Sequence, residues 1–413
     1  MSSIETETPV SSEATGEIDV RSAAALIGLL LVGLVDNQIL SPVLRDIAVS
    51  FHVSVGRVGT TVSGYALAAA AAALVVGPLS DRGGRRRFLT GAGLTFALGS
   101  TLAYFSNFFG LFVAARIVSG ASAGVISALV VATIADRVPY ERRGRAMSWV
   151  ASAYFAAPIL FVPAASWLAD QSSWRAIYVV FATTSILLAI LVRSWVNEGH
   201  HRRPKDSETA RQSSSYLSFF QDRTTAAGAI SAFFVSGGIT GFILYLGAFL
   251  GERFGLSVTQ IGLVFLLSGA ASLVGALGAG PLSDRLGKRS LAMMGSLVLA
   301  ILVGVVPFIN GSLVLYVWLG LVGLAAASRV APLQSLVTEL VGPQSRGAYV
   351  ALRNTLSQLG IATSASVGAF LYVRGGFDFV CFFAAAFSVV AALLLWAVDE
   401  PASANESAEA TAR

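Results

Sequence analysis

The sequence predicts an all-α membrane protein with twelve transmembrane helices, arranged as two six-helix bundles that repeat in parallel. Three observations lead to this fold class. Only 12% of the 413 residues are Asp, Glu, Lys or Arg, about half of the roughly 25% that is usual in soluble domains. Apolar stretches of about 20 residues, long enough to cross a bilayer, recur along the chain. The charged segment GPLSDRGGRRR at 77–87 also returns 203 residues later as GPLSDRLGKRS.

Hydropathy divides the chain into twelve apolar spans joined by polar segments. The spans are predicted near 22–44, 56–78, 88–105, 108–135, 146–168, 176–195, 225–249, 258–280, 291–309, 312–335, 347–372 and 377–398. Residues 1–20 and 399–413 are polar and are predicted to be disordered cytoplasmic tails. The polar segment 196–223 is predicted to be a cytoplasmic linker, which divides an N-terminal bundle, 21–195, from a C-terminal bundle, 224–398.

Basic residues indicate the orientation of the spans. If the N-terminus is cytoplasmic, the cytoplasmic segments hold 20 of the 28 Lys and Arg residues, and the opposite segments hold 5. Cytoplasmic loops of membrane proteins carry the excess of Lys and Arg. Both termini are therefore predicted to be cytoplasmic, and the net charge of +5 requires no nucleic-acid partner.

The two halves of the chain match each other at a constant offset of 203 residues. Gly59 matches Gly262 and Gly120 matches Gly323, with no insertion across six spans. Since six is an even number, the halves have the same orientation and form parallel repeats about an axis along the membrane normal. Two such bundles with a cleft between them are typical of an alternating-access transporter.

The repeated charged segment also matches a family signature. The pattern G-x-L-(S/A)-D-R-x-G-R-(K/R) of the major facilitator superfamily is matched by Gly77, Leu79, Asp81, Arg82, Gly84, Arg85 and Arg86. The chain resembles this family over essentially its whole length. The resemblance implies a bacterial inner (plasma) membrane protein that acts as a monomer on a small-molecule substrate. It also implies transport driven by the proton gradient, with no bound cofactor or metal.

Two further motifs resemble the twelve-span drug:proton antiporters of that family. Arg116-x-x-x-Gly120 resembles their embedded arginine motif, and VDNQILSPVLRDIA at 35–48 resembles their first-span pattern, with Arg45 in place of a proline. A third antiporter motif, G-x-x-x-G-P-x-x-G-G, is reduced in span five to AYFAAPILFV, in which Pro158 alone matches. The resemblance to the antiporters therefore rests on the first and fourth spans.

Acidic and basic residues near the repeated segment are predicted to form a gating latch. Asp136 is expected to pair with Arg85, and the residues 203 positions later, Glu339 and Lys288, are expected to pair in the same way. Such contacts would hold one conformation closed at the cytoplasmic side. The alternative is that the repeated segment only anchors the topology through its positive charge.

Two aspartates of the repeated segment are predicted to cap neighbouring helices, where a carboxylate is favoured by the helix dipole. The resemblance implies that Asp81 caps span eleven and that Asp284 caps span five. The complete set of predicted gating residues is Gly77, Asp81, Arg82, Gly84, Arg85, Arg86, Asp136, Gly280, Asp284, Arg285, Lys288 and Glu339.

Charged residues inside the spans are the candidates for proton coupling, because a charge near the bilayer centre costs several kcal/mol and usually has a partner. Asp36 in span one and Arg116 in span four fall at a similar depth. We predict that Asp36 carries the proton and that Arg116 modulates it. The alternative is a structural ion pair that fixes spans one and four.

The second half has different chemistry, because Ile239 and Leu319 occupy the positions that correspond to Asp36 and Arg116. It offers two arginines within spans and a stripe of polar side chains at helical spacing. The predicted substrate-binding residues are Asn37, Tyr154, Phe155, Phe242, Tyr245, Arg329, Gln334, Arg353, Asn354 and Gln358.

These observations favour a proton-coupled secondary transporter that exports small amphipathic compounds in exchange for protons. A symporter of an organic anion or metabolite is the alternative, since three arginines and one aspartate lie inside the spans. A non-transporting membrane sensor is a more distant alternative. An enzyme is not expected, because the chain has three histidines and lacks hydrolase, zinc-protease and ATP-binding motifs.

Overall fold

The computed structural model describes residues 19–137, 143–196, 216–342 and 345–398, which form thirteen α-helices. The helices are α1 (Val20–Ser50), α2 (Val55–Gly83), α3 (Arg85–Tyr104), α4 (Phe109–Arg137), α5 (Arg143–Ala156), α6 (Val162–Gln171), α7 (Trp174–Trp195), α8 (Arg223–Phe254), α9 (Val258–Leu286), α10 (Lys288–Val305), α11 (Ser312–Ser328), α12 (Val330–Glu339) and α13 (Arg346–Trp396). The predicted C-terminal tail, nearly all of the N-terminal tail and most of the linker lie outside the described residues.

Ten helical stretches of the described ranges are long and apolar enough to cross a membrane. Helix α3, at the predicted span 88–105, is not one of them, since it opens with three arginines and is rich in Gly, Ser and Thr. The ten stretches coincide with the other predicted spans, and α13 alone covers the last two predicted spans, 347–372 and 377–398. The fold is therefore that of an all-helical membrane protein.

Helix α13 consists of two straight segments that meet at Gly376. An unbroken helix of 51 residues would be about 77 Å long, more than twice the ~30 Å thickness of the hydrocarbon core. The backbone leaves helical geometry at Gly376, where φ is 69°. Only glycine adopts such a φ without steric strain. The predicted spans 347–372 and 377–398 are thus joined by a single non-helical residue, Gly376, which we call the glycine elbow.

Two predicted spans are interrupted near prolines, which remove a helical hydrogen-bond donor. Span five consists of α5, a π-helical turn (Ala157–Phe161) that contains Pro158, and α6. Span ten breaks between α11 and α12, after Ser328. Pro332 has no N–H to donate to the Ser328 carbonyl, which explains the position of that break.

Contacts between helix ends define the two ends of the molecule. At one end the Ser22 hydroxyl donates to the Trp195 carbonyl at 2.8 Å, and we call this the proximal end. At the other end the Trp174 indole donates to the Ser50 hydroxyl at 2.9 Å, and we call this the distal end. Helix α1 therefore runs from the proximal to the distal end.

Several local structures recur at the 203-residue offset predicted from the sequence. Ser54 and Ser257 are the N-caps of α2 and α9, and the side chain of each accepts a backbone N–H three residues later. Gly84 and Gly287 form the turns after these helices with φ values of 87° and 85°. Both turns require glycine for the same reason as Gly376.

The same close approach between helices also recurs. A Cβ atom added to Gly120 of α4 would lie 2.4 Å from the Tyr65 carbonyl oxygen of α2, and one added to Gly323 of α11 would lie 2.4 Å from the Ser268 carbonyl oxygen of α9. Because lipid tails are as apolar as the helices, small residues that allow close packing drive association within a membrane. These glycines therefore hold α2 to α4 and α9 to α11.

We expect Gly120→Ala to destabilise the protein by about 1–3 kcal/mol, because the clash is with backbone that cannot rotate away. Gly323→Ala should act in the same direction. Thermal unfolding in detergent measures the effect through a thiol-reactive dye, since Cys381 is buried in the folded state. Gly91→Ala is the control, because a Cβ at Gly91 has no neighbour within 4 Å. Equal midpoints for Gly120→Ala and Gly91→Ala would contradict the packing argument.

Candidate functional site

A central cavity of about 290 Å³ lies between the two halves of the chain. Helices α1, α2 and α5 and the π-helical turn line it from the first half, and α8, α9 and α11 line it from the second. Its polar side chains are Asn37, Gln38, Ser41, Tyr154, Thr240, Ser268 and Ser272. The remaining lining residues are apolar or aromatic, so the lining is uncharged.

Four of the predicted substrate-binding residues meet in this cavity. Asn37 of α1 faces it from one side, Tyr154 and Phe155 of α5 line a second side, and Phe242 of α8 lines a third. Two amides, four hydroxyls of Ser and Thr, and a phenol thus surround an aromatic and aliphatic interior. The arrangement can accept a small molecule that has both apolar surface and hydrogen-bonding groups.

Tyr245, another predicted substrate residue, packs between the halves instead of lining the cavity. Its hydroxyl donates to the Ala365 carbonyl at 2.8 Å, and its ring stacks on Tyr372 with centroids 5.2 Å apart. A Cβ added to Gly59 of α2 would overlap its hydroxyl oxygen at 2.0 Å. Tyr245 therefore fits the groove that Gly59 leaves in the first half.

The two predicted arginines of the second half brace helix α8. Arg329 donates to the Val235 carbonyl at 3.1 Å, and Arg353 donates to the Gly228 carbonyl at 3.1 Å. Neither residue is among those that line the central cavity. The other predicted polar residues, Gln334, Asn354 and Gln358, also lie outside that lining.

Asp36 of α1 and Arg116 of α4 form a direct ion pair inside the first half. The exposed fractions of the two side chains are 0% and 1%. The guanidinium carbon lies 4.6 Å from the centre of the Tyr65 ring, in the range of a cation–π interaction. Tyr178 of α7 lies on the same pair. Four helices therefore converge on one carboxylate.

The ion pair keeps unused hydrogen-bonding capacity. Within the described part of the chain, the second carboxylate oxygen of Asp36 and Nε and Nη2 of Arg116 make no hydrogen bond of good geometry. Buried polar atoms nearly always have a partner, and exceptions concentrate at functional sites. The pair thus joins α1 to α4, and some of its polar atoms make no hydrogen bond to the described protein.

The ion pair and the cavity lie on different sides of α1. Asp36 points into the first half and is fully buried, whereas the next residue, Asn37, lines the cavity. Successive helical residues are about 100° apart, which accounts for this separation. The flanking residues Tyr65 and Tyr178 are not among those predicted from the sequence, although a phenol inside an apolar span is a signal for such a site.

Hydrogen bonds between the halves close the distal side of the cavity. The Ser41 hydroxyl donates to the Ile243 carbonyl at 2.5 Å and accepts from the Gly247 N–H at 3.1 Å. A Cβ at Gly247 would lie 2.1 Å from the Ser41 carbonyl oxygen. Nearby, the Ser63 hydroxyl donates to the Ala362 carbonyl at 2.7 Å. The backbones of α1 and α8 are therefore in direct contact at this end.

The two predicted latch pairs are present at the proximal end. Arg85 lies 2.6 Å from Asp136, and Lys288 lies 2.6 Å from Glu339. Both pairs are partly exposed, so each is expected to contribute about 1 kcal/mol or less. Arg137, the last residue of α4, lies next to Asp136 of the first pair. Burial, together with the positive charge of Arg85, lowers the pKa of Arg137.

The remaining predicted gating residues are only partly described by the structure. The side chains of Asp81 and Arg82 lie outside the described residues, as do the side chains at 143–146, where span five begins and where Asp284 was expected to act as a cap. Gly77 and Gly280 have open space beside them. The two helix-capping contacts therefore stay predictions.

Comparison with known proteins identifies the family. The chain matches the model of the Major Facilitator Superfamily over residues 26–249 and 228–412, and it belongs to this family. Membership makes it an integral membrane transport protein and not an enzyme. The predicted resemblance to this family is thereby confirmed.

Relatives in this family include transporters of known and unknown substrate. The chain is 27% identical to the uncharacterised MFS-type transporter YceJ of Bacillus subtilis, over 82% of this chain and 85% of that protein. It is 27% identical to multidrug resistance protein D of Escherichia coli, over 85% and 89%. The crystal structure of a D-xylose–proton symporter has the same fold, with a TM-score of 0.76 and 21% identity over 92% of this chain and 97% of that one.

We expect the Asp36–Arg116 pair to show strong energetic coupling. Arg116→Met leaves a buried carboxylate without its partner, which typically costs about 3–5 kcal/mol. The double variant Asp36→Asn/Arg116→Met should recover part of that loss, because no uncompensated charge remains. Thermal unfolding of the single and double variants measures the coupling. Lys288→Met, at a partly exposed pair, is the comparison and should cost far less. Additive costs for Asp36 and Arg116 would contradict a coupled pair.

Proposed function

We propose that this protein is a proton-coupled secondary transporter that exports small amphipathic compounds in exchange for protons. The proposal includes twelve membrane crossings, with α3 as a span and α13 as two. The crossings are arranged as two parallel bundles, 21–195 and 224–398. The protein acts as a monomer in the bacterial inner membrane, with the proximal end and both termini in the cytoplasm.

The observation that carries this proposal is that the central cavity and the buried ion pair lie on two sides of the same helix, α1. The cavity offers aromatic and amide groups to a substrate, and the ion pair of Asp36 and Arg116 lies directly behind the same helix. Burial and a neighbouring positive charge act in opposite directions on the proton affinity of a carboxylic acid. A small movement of α1 would therefore change both the shape of the cavity and the balance that holds the proton.

The contacts between the halves support alternating access from this conformation. The backbones meet at the distal end through Ser41 and Gly247. With the proximal end in the cytoplasm, the described conformation is closed toward the outside. The predicted latch pairs, Arg85–Asp136 and Lys288–Glu339, each lie within one half in this conformation. Rocking of one bundle against the other would break the Ser41 contacts and open the distal side.

The names of the similar proteins include one that fits export and one that fits uptake. Multidrug resistance protein D is named for drug resistance, and it aligns with most of this chain. The D-xylose–proton symporter shares the fold and represents the opposite coupling direction. The uncharged cavity with several aromatic side chains favours amphipathic compounds over sugars or anions.

One observation favours the alternative of an organic-anion symporter. Arg329 and Arg353 donate to backbone carbonyls of α8, and the described structure gives neither of them an acidic partner. Two uncompensated positive charges in the second half would attract an anion that enters from the proximal side. In that case the substrate would bind between these arginines rather than in the central cavity.

We expect Asp36→Asn to abolish substrate-driven proton movement while substrate binding is retained, because Asp36 does not line the cavity. Proteoliposomes loaded with a pH-sensitive dye measure the proton movement, and equilibrium binding measures affinity. Asp46→Asn is the matched control, since Asp46 lies on the same helix near its distal end. Proton movement that survives in Asp36→Asn would reduce the pair to its structural role.

A separate pair of variants tests the anion alternative. An anion carrier should lose binding of an organic anion such as benzoate by about tenfold or more in both Arg329→Ala and Arg353→Ala, since each removes a charge-assisted contact. The antiporter should retain drug transport in at least one of them. Size-exclusion chromatography controls for folding, because both arginines brace α8. Tolerance of both substitutions rules out the anion carrier.

A further inference from the structure

The side chains that line the central cavity indicate which charge the substrate can carry. We infer that this transporter selects compounds without net charge and that its exchange of substrate for protons is therefore electrogenic. The inference rests on the proposed function, since it concerns the substrate of the same proton-coupled cycle. Three features of the cavity lead to it.

The first feature is the chemistry of the lining. Among the described lining residues, every polar side chain carries an amide, a hydroxyl or a phenol, as in Asn37, Gln38 and Thr240. A cation that entered would lose its hydration without gaining a carboxylate partner, which is strongly unfavourable. A neutral molecule would lose only hydrogen bonds that these groups replace.

The second feature is the isolation of the nearest charges. Asp36 and Arg116 neutralise each other, and both are almost completely buried inside the first half. The residues that correspond to them in the second half, Ile239 and Leu319, do line the cavity, and both are apolar. Among the described residues, the two halves thus put no Asp, Glu, Lys, Arg or His side chain into the cavity. The first half buries its charged pair elsewhere, and the second half has apolar residues at the corresponding positions.

The third feature is the combination of size and aromatic surface. The cavity volume of about 290 Å³ lies just below the range of about 300–1,000 Å³ for ligand sites, so a small ligand fits it best. Phe155, Phe242 and Phe265 provide aromatic faces, and Asn37 and Gln38 provide donors and acceptors on adjacent positions of α1. The ligand class that fits is a small uncharged aromatic compound with an amide or hydroxyl group.

Charge balance then follows from the exchange. When a neutral molecule leaves and a proton enters, one net positive charge crosses inward for each proton. The membrane potential therefore contributes to the driving force together with the pH gradient. Export of a monovalent cation for one proton would instead be electroneutral and would respond to the pH gradient alone.

The test of selectivity is the introduction of a carboxylate into the cavity. Ile239→Glu should raise the affinity for tetraphenylphosphonium by about tenfold or more relative to Ile239→Gln, which adds a similar volume without charge. Wild type should bind chloramphenicol, a neutral compound with hydroxyl and amide groups, more tightly than tetraphenylphosphonium. Thr240→Glu, from a position that is already polar, is the second variant if Ile239→Glu fails to fold. Wild-type binding that favours the cation, or equal cation affinity in the Glu and Gln variants, overturns the inference.

The test of charge movement uses wild-type proteoliposomes with a potassium–valinomycin potential and equal pH on both sides. An inside-negative potential should accelerate chloramphenicol-driven proton entry. In a second assay with an imposed pH gradient and no potential, proton entry that responds to the pH gradient, together with no response to the potential in the first assay, would show that the exchange moves no net charge. That result would overturn the inference. Transport of chloramphenicol without any proton movement would instead refute proton coupling, and thus the proposed function, while the binding test still decides the selectivity.

Discussion

The buried ion pair of Asp36 and Arg116 is the interaction on which the first half depends. A single charge at mid-membrane is costly, so each residue is tolerated only because the other is present. The pair joins α1 to α4, and the tyrosines beside it come from α2 and α7. Because this interaction joins four helices, we expect a change in its protonation to change their packing.

The two halves share a scaffold but not a chemistry. The N-caps Ser54 and Ser257 and the close contacts of Gly120 and Gly323 are the same in both. These features position the helices and do not determine which substrate is bound. The corresponding interior positions have diverged to a charged pair in one half and to apolar cavity wall in the other. Under the proposed function, this difference would let the first half handle the proton while both halves shape the binding space.

The sequence predicted the interactions that depend on helix ends better than those that depend on helix faces. The partners of Arg85 and Lys288 followed from the offset between repeats, because a residue at the end of a span has few neighbours to choose from. Tyr245 and Arg329 were expected to face the substrate but pack elsewhere. A shift of one residue rotates a side chain by about 100° around the helix, and hydropathy does not fix that rotation when several faces are apolar. Packing between helices decides it, as it does for Asp36 and its neighbour Asn37.

The glycine elbow at Gly376 has a mechanical consequence. The segment of α13 before it crosses the interface to contact α2 through Ala362 and Ser366, whereas the segment after it presents Phe379, Leu393 and Trp396 on the outer surface. Because only Gly376 separates the two segments, a movement of one segment is expected to move the other, unlike the case of two helices joined by a long loop. If the first segment moves, the second segment would transmit the displacement to the surrounding lipid. The thickness and lateral pressure of the bilayer would then contribute to the energetics of the proposed transport cycle.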